Sequence, residues 1–92
     1  MDNDAKVRPL YLGKIFMEMT DEEHFLTTSQ LIQILDEKYG VKAHRQTIKA
    51  DIELLKRFGM DIQEIKSTQN RYNLASRQFD VAELKLLIDA VE

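Results

Sequence analysis

Apolar residues recur at helical spacing in four stretches of this chain. In Lys6 to Met19 the stripe is Leu12, Ile15, Phe16 and Met19, and in Ser29 to Tyr39 it is Leu31, Ile32, Leu35 and Tyr39. Val41 to Phe58 repeats the pattern most clearly, with Ile48, Ile52, Leu55 and Phe58 at steps of four, three and three. Such steps put side chains on one face of an α-helix, so each stretch predicts a helix with one buried face. The last stretch carries Val81, Leu84, Leu87, Ile88 and Val91. Asp80 and Glu83 give it a capping signal, and no stop signal follows. Between the third and fourth stretches, Ile62 to Lys66 and Arg71 to Leu74 read as strands. The second alternates polar and apolar residues, and Ser67-Thr68-Gln69-Asn70 between them is rich in turn formers. Ile62 and Ile65 break strict alternation, which predicts a bulge or turn near them.

The punctuation sharpens these boundaries. Pro9 is tolerable only in a first helical turn, so the first helix is expected to start near Val7 or Arg8; Gly13 is a weak point within it. Thr20 to His24 is acidic and reads as a solvated connector. Phe25 and Leu26 can form a short strand that pairs with the later hairpin. The second helix has two candidate caps, Thr28 alone or Thr27 in a capping box with Gln30. Gly40 ends it, Val41 sits in the tight connection, and Gly59 stops the third helix. A two-stranded hairpin is marginal alone. It is expected to pack on the helices through Ile62, Tyr72 and Leu74.

The predicted fold is therefore mostly α with a small β-hairpin: a three-helix core, a hairpin, then a C-terminal helix. Residues 6–77 form one domain, and 78–92 begin a linker or dimerisation helix. The unstopped apolar stripe of Leu84, Leu87, Ile88 and Val91 has no place in that domain. It is expected to be a dimer seam, a linker, or the lead into a downstream domain, the alternative being that it folds back on the first helix.

Composition narrows the class. Ninety-two residues support one modest core. No run reaches the ~18 apolar residues of a membrane helix, and the start, Met1-Asp2-Asn3-Asp4, lacks the layout of a signal peptide. A soluble, cytoplasmic protein is expected. There is no cysteine, and His24 and His44 stand twenty residues apart, so neither a disulfide nor a metal site is expected. The net charge of −3 argues against nucleic acid until it is divided along the chain. Residues 1–40 hold four Lys/Arg against eight Asp/Glu, residues 41–77 eight against four, and residues 78–92 one against four. A basic block between acidic ends fits one anion-facing surface on an acidic body.

That block coincides with a motif. A helix, a glycine-containing turn and a helix with a polar outer face make a helix-turn-helix pattern. On the third helix Gln46, Lys49, Ala50, Glu53 and Arg57 fall opposite the stripe, with Arg45 and Lys56 on the flanks. Val41 to Ile52, with its Arg-x-Thr-Ile-x-x-Asp-Ile core at Arg45 to Ile52, resembles the recognition helix of DeoR-type winged helix-turn-helix regulators. It is most similar to the N-terminal domain of bacterial regulators that carry a WYL effector domain downstream. The resemblance spans about residues 6–92. His44 stands where the family usually has Ser, which replaces the usual helix cap, and Ala50 where it often has Arg, which removes a common DNA contact.

The expected function is sequence-specific binding of double-stranded DNA, with helix 44–58 in the major groove and the wing, 62–74, on phosphates. Arg45 can pair bidentately with guanine and Gln46 with adenine, and Lys49 can reach base or phosphate. Thr47, Lys56, Lys66, Arg71 and Arg77 are the phosphate candidates, Thr47 bonding internally instead if buried. The resemblance implies a transcriptional regulator, homodimeric when intact, with any effector held by the downstream domain and no cofactor here. The alternative is a winged helix used for protein contact, which needs an exposed apolar patch. Catalysis is not expected: Ser29, Ser67 and Ser76 have no histidine partner in sequence, and no phosphate-binding glycine loop appears.

Overall fold

The computed structural model describes residues 4–76. Three helices and three strands follow in the order α1 (Asp4–Met19), β1 (Leu26–Thr27), α2 (Thr28–Tyr39), α3 (Arg45–Arg57), β2 (Asp61–Ile65) and β3 (Arg71–Ser76). Arg77 and the stretch from Val81 to Val91 lie outside the described residues, as does the proposed boundary at 78.

The helices pack around the stripes that periodicity predicts. Leu12, Ile15 and Phe16 of α1, Leu31 and Leu35 of α2, and Ile48, Ile52 and Leu55 of α3 form one buried cluster. Val41, in the connection between α2 and α3, joins them. Thr27 is the N-cap of α2: its hydroxyl accepts from the Gln30 N–H (3.1 Å), and the Gln30 side chain accepts from the Thr27 N–H (2.8 Å). Gly40 closes α2 in the left-handed region, φ 68° and ψ 25°, and the Gly40 and Val41 N–H groups bond back to Asp36 and Leu35. Only glycine enters that region without steric cost, so the turn that delivers Val41 to the core depends on it.

The sheet is antiparallel with strand order β1-β3-β2. Leu26 pairs with Tyr72 and Thr27 with Arg71, while Ile62 pairs with Leu74 and Ile65 with Arg71. Ile62, Tyr72 and Leu74 point into the helices and complete the core. The hairpin thus gains the third strand and the helical packing that an isolated pair lacks.

Four expectations are corrected. The first helix starts at Asp4, so Pro9 falls in its second turn. It cannot donate to the Ala5 carbonyl, but that loses one bond near a helix end, where the cost is smallest. Met19 is 43% exposed, because α1 leaves the core at its last residue. Phe58 is 49% exposed. It follows the end of α3, where helical phase no longer applies, and Met60 fills the core at this end instead. The bulge expected near Ile62 is present, between Asp61 and Ile62: Asp61 pairs with Ser76 and Ile62 with Leu74, so Ala75 is the extra residue.

The fourth correction concerns Thr20 to His24, which is built into the fold rather than merely solvated. Thr20 is buried; its hydroxyl donates to the Phe16 carbonyl (2.6 Å) and accepts from the Leu74 N–H (3.0 Å). The Asn73 amide donates to the Asp21 carbonyl (3.0 Å), so Asn73, polar by alternation, is fully buried under this loop. Asp21 shapes the loop by accepting from the Glu23 and His24 N–H groups and from His24 Nδ1 (2.7 Å). The His24 hydrogen bond, then the Glu23 N–H, hold the Asp21 carboxyl below its usual range. The same Asp21 bond raises His24 above the ordinary 6.5.

The pair makes the loop pH-dependent. A raised histidine contributes stability that is complete below its unfolded pKa and lost as pH rises through the folded value. A lowered aspartate contributes stability that is lost as pH falls through its own folded value. The contact is therefore strongest between the two titrations, in mildly acidic solution. NMR titration is expected to place the His24 midpoint above 6.5, and Asp21→Asn is expected to lower it. A midpoint at or below 6.5 in the native protein would remove this contact from the account.

Candidate nucleic-acid interface

Asp51 sets the rotation of α3. It is 6% exposed, on the core side of the helix, and takes the Arg8 guanidinium in two contacts, Nε to Oδ2 at 2.5 Å and Nη2 to Oδ1 at 3.4 Å. This part-buried ion pair links α1 to α3 beside Ile48 and Ile52. With those residues turned inward, Gln46, Lys49, Ala50, Glu53 and Arg57 are all exposed on the opposite face. The predicted outer face of the helix is thus the solvent face.

The start of α3 is closed by Thr47. Its hydroxyl accepts from the His44 N–H (2.9 Å) and donates to the His44 carbonyl (2.8 Å). Both bonds are local, so of the two roles expected for Thr47 the structure displays the internal one. His44 itself has the extended backbone of an N-cap, φ −114° and ψ 164°. The Thr47 hydroxyl thereby serves one of the first backbone donors that a helix start leaves open.

Arg45, the first residue of α3, is exposed, and its Nη2 donates to Ser29 Oγ at 3.2 Å. Ser29 lies two residues after Thr27, and Thr27 pairs with Arg71 in the sheet. Arg71 in turn pairs with Ile65, the residue before Lys66. This succession of contacts links the start of α3, through the start of α2, to the turn end of the hairpin. That turn end carries Arg71 and Lys66. Lys66 is exposed, and the Arg71 guanidinium lies over the Phe25 ring at 5.8 Å. Gln46 and Lys49 are exposed beside Arg45, and among the described residues neither has a hydrogen-bond or ion-pair partner.

Lys56 does not join this group. It sits eleven residues along α3 from Arg45, about 16 Å at helical rise. It is half-buried and paired with Glu53 at 3.2 Å. Arg77 and the apolar face of Leu84, Leu87, Ile88 and Val91 are outside the described residues. Two features escaped sequence reasoning. The Arg8–Asp51 pair could have been suspected from an aspartate on the core side of an otherwise apolar arc. The Ser29 contact has no local signal, because its partner is sixteen residues away.

Among the described residues no group of three or more His, Asp or Glu side chains is placed to hold a metal ion, and no helix is long and apolar enough to cross a membrane. No protein-family model matches the chain, and no curated protein or solved structure matches it either.

Proposed function

We propose that this domain is a winged helix-turn-helix that binds double-stranded DNA, as the N-terminal part of a bacterial transcriptional regulator of the DeoR type, similar to those with a WYL domain. The observation that carries the proposal is the exposed first turn of α3, with Arg45, Gln46 and Lys49, linked through Ser29 and Thr27 to the turn end of a hairpin that carries Arg71 and Lys66. α3 lies in the major groove, which is wide enough for one helix. Its first turn offers a guanidinium and an amide, the two groups that read guanine and adenine edges bidentately. The β2–β3 hairpin is the wing, and Lys66 and Arg71 face phosphates. A single small reading helix binds unrelated sequences only weakly, at ~10⁻⁴–10⁻⁶ M. Two linked copies on paired half-sites add ~10²–10⁴ in avidity, which is why we assign a homodimer to the regulator.

The two classes of contact separate by experiment. Arg45→Ala and Gln46→Ala are each expected to remove ~1–3 kcal/mol of discrimination at one base position. Lys66→Ala or Arg71→Ala is expected to weaken all sequences alike and to reduce the salt slope by about one. Binding isotherms on matched and mismatched duplexes at several salt concentrations measure both quantities. Identical behaviour of the four variants would defeat the assignment.

One observation favours a second reading, contact with another protein. Leu54, on α3, is 37% exposed, and Phe58, just past the end of the helix, is 49% exposed. Exposed large apolar side chains of this kind suit a protein partner better than a phosphate backbone. Under that reading Leu54→Ser and Phe58→Ser abolish association while Arg45→Ala does not; under the DNA reading the order is reversed.

A further inference from the structure

We propose that Ser29 is a positioning residue for Arg45, holding its guanidinium at the start of α3 in the orientation that meets a guanine edge. The inference rests on the DNA-binding function proposed above and adds to it a residue from a different helix. An exposed arginine samples many rotamers, and fixing one of them on binding costs entropy. A tether present before binding removes part of that cost.

The tether is the bond from Arg45 Nη2 to Ser29 Oγ, 3.2 Å long and spanning sixteen residues of sequence. Its far end is firmly mounted. Ser29 is the second residue of α2, inside the Thr27–Gln30 capping box, and Thr27 is paired in the sheet with Arg71. A helix start and a strand thus hold the post against which Arg45 leans. The contact also leaves the arginine able to read. A guanidinium carries five N–H donors, Ser29 takes one, and the O6 and N7 atoms of guanine need two. Gln46 and Lys49 have no such tether among the described residues, so Arg45 is the member of the reading set that is aimed in advance.

A role in aiming differs measurably from a role in folding or in phosphate contact. Affinities are compared for a duplex carrying the preferred guanine, the same duplex with that base pair replaced, and an unrelated duplex. The proteins are the native domain, Ser29→Ala, Ser29→Thr, Arg45→Ala and the double variant Ser29→Ala/Arg45→Ala. Ser29→Ala is expected to lower the guanine preference by about two- to tenfold, the range of one lost hydrogen bond. Affinity for the unrelated duplex and the salt slope are expected to stay unchanged. Ser29→Thr, which keeps the hydroxyl, is expected to restore the preference. In the Arg45→Ala background, Ser29→Ala is expected to have no further effect on it. Uniform weakening of all three duplexes by Ser29→Ala, or full additivity of the two substitutions, would overturn the inference while leaving DNA binding intact. Absence of any sequence preference in the native domain would instead sink the DNA reading, and this inference with it.

Discussion

Asp51→Ala is expected to destabilise the domain by ~3 kcal/mol, because it leaves the Arg8 guanidinium without its partner between α1 and α3. The Arg8 side chain keeps 15% exposure and that of Asp51 only 8%, so water can replace little of what the carboxylate supplies. Native stability of small domains is ~5–15 kcal/mol, so the loss is a large share of it. A buried ion pair is nevertheless weak evidence of net stabilisation, since both charges were taken out of water to form it. Arg8→Met/Asp51→Leu, which removes both charges and retains volume, is therefore expected to recover most of the loss. Chemical denaturation of the single and double variants measures both effects. A single variant within about half a kilocalorie of the native protein would mean that the pair does not set the position of α3.

Ile52→Ala is expected to cost ~2–5 kcal/mol through lost burial and the cavity left behind. Ile52 is 1% exposed and belongs to the cluster that α1, α2, α3 and the sheet all line. The site adjoins Asp51, so its effect and that of Asp51→Ala are not expected to add. Chemical denaturation decides this as well. A loss below about half a kilocalorie would place Ile52 away from the core and rotate the outer face of α3 with it.

Much of the fold was legible in periodicity. Ile48, Ile52 and Leu55 needed only the 3.6-residue repeat, and Gly40 and the Thr27–Gln30 box needed only local backbone chemistry. The failures have a common physical origin, in that tertiary context decided them. Phe58 continued the repeat in sequence but lay past the last turn, where the chain bends and Met60 takes the buried place. Asn73 alternated as a surface residue should, yet it is buried because a loop fifty-two residues earlier lies over it. Thr20 looked like the start of a solvated connector and instead serves Leu74, the second strand of the hairpin. The candidate site divided in the same way. That Gln46 and Lys49 would be exposed followed from helical phase. That Arg45 would touch Ser29, that Thr47 would close its own helix, and that Lys56 would sit half-buried beside Glu53 depended on how neighbouring elements pack.

The central claim, that α3 reads duplex DNA through its first turn, is tested most directly by selecting bound sequences from a random duplex pool, with native protein and with Arg45→Ala. The native domain is expected to enrich a short motif containing a guanine beside an adenine. Arg45→Ala is expected to lose the guanine preference while retaining the rest. A pool with no enriched motif would contradict that claim, as would a motif that Arg45→Ala leaves unchanged.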